Sequence, residues 1–262
     1  LVVTFLETPD KHGLAIVVRT PAGKTYLVDS GWQSGNYDAG RDTIAPFLRT
    51  QAISEISGMV LSHSHPDHYG GATWLIDSFP VKQVIDAGYD ARGMNDAYRG
   101  LRRHSVERGA EYVAVHAGDR LNWDKDIEVE VLSPPKEFLS LDLDPSKISE
   151  GSLLNNNSVI LRIRHGKIVF LLPGDAYGQE TMYLLQAWAS EKYKATVLAA
   201  PHHGFNETPG FARAISPEVG VASCRNYYAN SPVASPGDEA TRVFGSVDAK
   251  VYVTAWHGNV KI

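Results

Sequence analysis

The 262-residue sequence predicts an α/β protein of two similar αβ halves, stacked as a four-layer α/β/β/α sandwich. Three observations predict it. Short apolar runs, several with period-two alternation, recur along the chain and read as strands. Between them lie segments whose apolar residues fall at helical spacing. The order strands, helix, strand occurs in each half, although no repeat is visible residue by residue. At 43% hydrophobic and 21% charged the composition is ordinary for a globular chain, and the length allows a full core in a single domain over residues 1–262. No apolar run approaches the roughly 18 residues of a membrane-spanning helix. A soluble chain is therefore expected, cytoplasmic or secreted with its signal peptide removed. Cys224, the only cysteine, excludes an intramolecular disulfide and reads as a buried side chain. A net charge of −5 argues against a dedicated nucleic-acid-binding module, which would carry a basic excess.

Along the chain, Val2–Leu6 and Leu14–Thr20 are β-rich runs separated by Pro9, Asp10 and Gly13. Thr20–Lys24 reads as a turn and Thr25–Asp29 as the next strand, so the sheet opens with antiparallel neighbours. Ile44, Phe47 and Leu48 give Ala39–Gln51 a helical period. Met59–Leu61 is a short buried strand. Ala72–Asp77 begins a helix with Trp74, Leu75 and Phe79 turned to the core, and Val81–Asp86 alternates as a strand. Arg92–Arg108 is polar and helical in pattern, with Met94, Tyr98 and Leu101 on one side. Its Arg92, Arg99, Arg102, Arg103 and Arg108 form a solvated face or, in a sharper reading, a cationic wall beside a site for an anionic substrate. Glu111–Val115, Arg120–Trp123 and Ile127–Leu132 read as short strands. Pro134–Leu154, rich in Asp, Ser and Pro, reads as a surface loop near the site. Val159–Arg164 and Lys167–Leu172 form a hairpin turning at His165-Gly166. Gln179–Ser190 is helical and Thr196–Ala200 a strand. Gly210–Ile215, Val219–Ser223, Glu239–Gly245 and Lys250–Thr254 continue as helix, strand, helix, strand. His104, His116 and His165 lie outside any ligand cluster and read as structural or exposed.

The chemistry is concentrated in Val60-Leu61-Ser62-His63-Ser64-His65-Pro66-Asp67-His68-Tyr69-Gly70-Gly71, where a buried strand opens into a loop with three histidines and an aspartate. Neutral imidazole and carboxylate oxygen are the ligands a zinc-type cation accepts. His63 and His65, at alternating positions, can face one cation. Asp67 and His68, carried round the turn, can face a second. Asp175 and the pair His202–His203 each follow a predicted strand, and strand ends along one edge of a sandwich converge. No Ser-His-Asp or Cys-His arrangement competes with this set.

His63-Ser64-His65-Pro66-Asp67-His68 resembles the signature of the metallo-β-lactamase superfamily of metal hydrolases. The resemblance covers nearly the whole chain and is nearest to the hydrolase domain of late-competence DNA-uptake channel proteins and their soluble relatives. It is carried further by Thr20-Pro21-Ala22-Gly23-Lys24…Leu27-Val28-Asp29-Ser30-Gly31, Asn155-Asn156-Asn157-Ser158, Pro173-Gly174-Asp175 and Pro201-His202-His203-Gly204. A weaker match is Thr254…Gly258-Asn259-Val260. The resemblance implies the four-layer αββα metallo-β-lactamase sandwich and two divalent metal ions, Zn or Mn. It implies His63, His65 and Asp175 on metal one. Asp67, His68, a bridging Asp175 and one of His202 and His203 would hold metal two, with His202 favoured because it is nearer the strand. Asp29 would support the metal loop from behind, and Asp67 counts with the catalytic residues as well.

Many members of the superfamily carry a further histidine before the Asp175 strand. Here that segment is Leu153-Leu154-Asn155-Asn156-Asn157-Ser158, without one. Asparagine is a poor zinc ligand but a good hydrogen-bond donor and acceptor. Asn156 and Asn157 are therefore expected to orient substrate or water as catalytic residues. The departure weighs against β-lactam and thioester hydrolysis and fits the phosphoryl-transfer branches. Two divalent cations outweigh Asp67, Asp175 and a bridging hydroxide by about one charge, which suits a phosphodiester. The expected function is a dinuclear metal-dependent hydrolase acting on a small-molecule or nucleic-acid phosphodiester. The alternatives are a lactone or β-lactam hydrolase, and a non-catalytic binding domain of the same fold.

Overall fold

Alternation along the strands divides the apolar side chains between two faces, and that division builds the layers. The computed structural model describes residues 1–8, 13–90, 96–139, 150–205, 209–225 and 236–262. The expected turn at Pro9 and Asp10, the contributions of Arg92 and Met94, and positions 140–149 of the expected loop lie outside the described residues.

The first half runs β1 (Val2–Phe5), β2 (Ile16–Arg19), β3 (Thr25–Val28), β4 (Gln33–Ser34) and β5 (Tyr37–Asp38). A π-helical turn (Gly40–Ile44) then leads into α1 (Ala45–Thr50), β6 (Gly58–Val60), α2 (Pro66–Tyr69), α3 (Ala72–Ser78), β7 (Gln83–Asp86), α4 (Asp96–Glu107) and β8 (Glu111–Ala114). The second half runs β9 (Arg120–Leu121), β10 (Glu128–Ser133), α5 (Glu150–Asn155), β11 (Ile160–His165), β12 (Ile168–Leu172), α6 (Gly178–Ala187), α7 (Ser190–Tyr193) and β13 (Val197–Ala199). A tight turn at Pro201–Gly204, α8 (Pro209–Ile215), β14 (Val219–Ala222), α9 (Pro236–Gly245), β15 (Lys250–Val253), α10 (Thr254–His257) and β16 (Val260–Lys261) complete it. The strands form two seven-stranded sheets, ordered β16-β1-β2-β3-β6-β7-β8 and β15-β14-β13-β12-β11-β10-β9, besides the small β4–β5 pair.

Each half begins antiparallel and then turns parallel. β1, β2 and β3 are antiparallel neighbours, whereas β3, β6, β7 and β8 run parallel. β9 to β12 are antiparallel, and β12 to β15 parallel. β16 crosses back to sheet one and pairs with β1, where Val3 and Ile262 exchange N–H···O=C bonds of 2.9 Å in both directions.

Three apolar layers follow from the alternation. Tyr26, Val28 and Val60 of sheet one meet Phe170, Leu172 and Val197 of sheet two between the sheets. Their chain neighbours Leu27, Met59 and Leu61 point the other way, onto Leu48, Leu75 and Leu101 of α1, α3 and α4. Leu171 and Leu198 likewise point out, onto Leu184, Phe211 and Phe244 of α6, α8 and α9. At about 1.5–3 kcal/mol for each fully buried large side chain, register is strongly fixed on both faces. This is the expected four-layer αββα sandwich. Among the described residues no helix is long and apolar enough to cross a membrane.

Some elements differ from expectation. The expected helix Gln179–Ser190 breaks at Trp188, which is extended (φ −120°) and donates its indole N–H to the Leu132 carbonyl at 2.9 Å. The chain restarts as α7. The expected 134–154 loop ends in α5, so Asn155 closes a helix. Cys224 is buried, and burial pushes its thiol up to about 12.

Candidate metal centre

Asp29 closes β3 in a left-handed conformation (φ 61°). Its Oδ1 accepts the Ser62 N–H at 2.7 Å, and its Oδ2 accepts the Ser62 hydroxyl at 2.8 Å. The same Oδ2 lies 2.8 Å from Nδ1 of the fully buried His68. A carboxylate there assigns the proton to Nδ1 and leaves Nε2 as the ligand atom. The loop between them is short because Pro66 starts α2 immediately after the extended His65, bringing Asp67 and His68 round in one turn. Gly71 lets the loop rest on the π-helical turn: a Cβ there would lie 2.3 Å from the Gly40 nitrogen.

Asp175 enters from the turn after β12. Gly174 before it has φ 57°, and a Cβ on it would meet that of Ser62 at 2.8 Å, so only glycine fits. Asp175 Oδ1 lies 3.2 Å from His68 Nε2 and 3.6 Å from His203 Nε2. Its Oδ2 lies 3.8 Å from His63 Nε2 and 3.9 Å from His202 Nε2. His203 is held by the Ser223 carbonyl, 2.9 Å from Nδ1, and its Nε2 lies 3.2 Å from Asp67 Oδ2.

The potential ligand atoms form two groups, each within 4.8 Å: Asp67, His68, Asp175 and His203, and His63, His65 and Asp175. Asp175 belongs to both. His202, favoured from its place next to β13, does not join either group. His202 (φ 49°) and His203 (φ 60°) are both left-handed, so the chain reverses between strand and ligand. That reversal buries His203 and leaves the His202 side chain 26% exposed.

The chemistry of the donor set fits divalent cations. His68 Nε2 and Asp175 Oδ1 are buried and, among the described residues, neither makes a hydrogen bond, although they face each other. Such orphaned atoms call for a ligand. Burial pushes His63 well below its usual range, and lowers His65 and His202 too, so these imidazoles are neutral donors. Burial also opposes charge on His68 and His203, but Asp175 and its neighbouring carboxylates outweigh it and raise both. Burial works to raise Asp67 and Asp175, yet the nearby histidines hold both carboxyls below the usual range. The cluster thus stabilises positive charge among its carboxylates, and a bound cation would take the place of the protons on His68 and His203.

The asparagines bond to the backbone around them. Asn156 Oδ1 accepts the Glu180 N–H at 3.1 Å, and its Nδ2 donates to the Ser152 carbonyl at 2.9 Å. Asn157 brackets the backbone of Leu139, accepting its N–H at 2.8 Å and donating to its carbonyl at 3.1 Å, and also donates to Leu153 at 3.0 Å. Both side chains are engaged by backbone groups of the fold. Asn155 is the exception, with a buried Oδ1 that has no hydrogen-bond partner among the described residues. Three arginines of the expected cationic wall are held by carboxylates. Arg99 pairs with Asp90 and Asp96, Arg108 pairs with Asp77, and Arg102 turns inward. Ser62, which links Asp29 to the loop, carried no signal in the sequence beyond its place beside His63.

A four-layer αββα sandwich with two groups of His and Asp ligands at its strand ends defines a metal-binding protein of the metallo-β-lactamase type. The chain belongs to that family: residues 8–170 match the model described as "Metallo-beta-lactamase superfamily". It is 27% identical over 224 residues to "ComE operon protein 3" of Bacillus subtilis (strain 168), covering 84% of this chain and 26% of that protein. It is 29% identical over 222 residues to "Competence protein ComA" of Neisseria gonorrhoeae, again covering 84% of this chain and 26% of the relative. The chain therefore spans about a quarter of the length of these curated relatives. Among solved structures it is similar in fold to Igni18, a metallo hydrolase from Ignicoccus hospitalis KIN4/I. That match has a TM-score of 0.60 at 15% identity and covers 100% of this chain and 99% of the other.

Proposed function

We propose that this chain is a dinuclear metal-dependent hydrolase of phosphodiesters. The observation that carries the reading is Asp175, one buried carboxylate shared by two groups of ligand atoms. Cations bound there would supply Lewis-acid charge and a water acidic enough to act near neutral pH. The protein's own contribution is orientation. Asp29 and Ser62 hold the His68 ring, the Ser223 carbonyl holds His203, and burial of the cluster lowers the local dielectric and strengthens each electrostatic contact. His202 keeps a neutral imidazole at the more open side, where Nε2 can hydrogen-bond a substrate oxygen. The resemblance of this chain's motifs to DNA-uptake channel proteins favours DNA among possible phosphodiesters.

The test is a substrate panel run separately with zinc and with manganese: bis(p-nitrophenyl) phosphate, single-stranded DNA, a lactone and nitrocefin. Turnover of the two phosphodiesters, abolished by chelation, is the expected outcome. Turnover of only the lactone or nitrocefin would overturn the assignment, and so would a protein that binds no transition metal after reconstitution.

A further inference from the structure

Among the arginines of α4, Arg102 is the one built into the interior. Its Nε donates to Asp86 Oδ2 at 2.7 Å and its Nη2 to the Tyr89 carbonyl at 3.1 Å. The guanidinium carbon lies 5.0 Å from the Tyr98 ring centre and 5.5 Å from that of Tyr112, a stacked cation on two aromatic faces. Asp86, at the end of β7, is itself saturated. The Gly88 N–H and Tyr112 hydroxyl bond its Oδ1, and the Tyr98 hydroxyl and Arg102 bond its Oδ2. The guanidinium is thereby fixed before any ligand arrives, and its Nη1 makes no hydrogen bond to the described residues.

This cation lines a small cavity of about 10 Å³ together with its own partner Asp86 and with His63, Ser64 and Tyr89. Ser64 stands between His63 and His65, is 6% exposed, and its hydroxyl has no hydrogen-bond partner among the described residues. Asn157 also lines the cavity, but its amide is occupied by Leu139 and Leu153. A space of that size admits one oxygen-sized group. Two residues that carry donor groups line it, one of them with a planar guanidinium already stacked and paired, and a candidate metal-ligand histidine forms part of its wall. A guanidinium binds a phosphate oxygen through a directed, charge-assisted bond while its other edge keeps Asp86, which a lysine ammonium cannot do with the same geometry.

We propose that this cavity is an anion subsite, in which Arg102 and Ser64 hold one non-bridging oxygen of a phosphate group beside His63. Its ligand class rests on the phosphodiester reading, but its existence is testable without turnover. Inorganic phosphate is titrated into the full chain, metal-free and zinc-loaded, by calorimetry at constant ionic strength, for wild type, R102K, R102Q and S64A. Circular dichroism and zinc content check folding and metal loading. Phosphate binding at least about tenfold weaker in R102K and R102Q, and weaker in S64A, is expected. On bis(p-nitrophenyl) phosphate the same variants should raise KM with zinc content unchanged. S64A removes one hydroxyl and leaves the Asp86 pairing whole, so it keeps the test open if R102Q fails to fold. Wild-type phosphate affinity in folded R102K and S64A would overturn the proposal and leave a cavity for water alone. Weakened phosphate binding in these variants, in a protein that turns over no phosphodiester, would uphold the subsite and remove the phosphodiesterase reading.

Discussion

His202 and His203 are adjacent, equally capable of ligating a metal, and differently used. Only His203 reaches Asp67 and Asp175 together, because the Ser223 carbonyl and two left-handed residues turn it inward. H203A is expected to lose close to one equivalent of metal on dialysis, measured by elemental analysis, whereas H202A keeps its metal. Equal metal content in the two variants would mean that the turn rearranges on loading. N156A leaves the Glu180 N–H without its buried partner, at about 1–3 kcal/mol, while the Ser152 carbonyl keeps the backbone N–H of residue 156. N156A should therefore shift the urea midpoint to lower denaturant. The residue types at the site were legible from sequence, since His63, His65, Asp67, His68 and Asp175 all converge. Which of two neighbours points inward was not legible, because contacts from β14 and α6 decide it, and no spacing records them.

At the scale of elements, α6 carries a buried acid with a consequence for pH. Glu180 accepts the Ser133 hydroxyl at 2.6 Å and the Ser158 N–H at 3.3 Å, yet burial dominates and pushes its carboxyl well above the usual range. A folded-state pKa above the unfolded one means that folding takes up a proton. Stability from this group is therefore greatest in acid and falls as pH rises from about 4.5 toward the folded-state value, then levels off. E180Q should flatten that slope and exceed wild type in stability at pH 8, as read from urea midpoints across pH 4 to 8. A parallel slope in both proteins would show that another group sets it. The strands that alternate were legible, as Leu27 and Val28 show by facing opposite layers. α2, α5 and β16 were not. The first is a single turn hidden in a ligand motif, the second closes a polar stretch without apolar period, and the third is two residues long and defined by its partner β1.

At the scale of the whole molecule, the candidate ligands come from both sheets. His63, His65, Asp67 and His68 follow β6, while Asp175 and His203 follow β12 and β13. A metal bound there joins the two halves, and its binding free energy adds to that of folding. At a free-metal level about 100-fold above its Kd, one site contributes about 2.7 kcal/mol, or roughly 5–10 °C in Tm for a domain of this size. Calorimetry with zinc and then with excess chelator should show that drop. A Tm indifferent to chelation would mean that the metal does not join the halves. The two-half plan itself was legible because each half repeats strands, helix and strand. Their antiparallel-then-parallel order became visible only with the pairings.

β1 and β16 lie antiparallel, with Val3 and Ile262 bonded at the rung nearest the chain ends. A pull applied at Leu1 and Ile262 therefore loads that rung first, then Thr4 and Lys261, then Phe5 and Val260. Bonds strained one after another give way in sequence, each worth only about 0.5–1.5 kcal/mol net. The same bonds strained together, as in strands drawn lengthwise past each other, share the load. Held at Leu1 and Ile262, this fold should behave mechanically as a zipper. In an optical trap the first event should be the low-force release of a short C-terminal segment, with the sandwich behind it still closed.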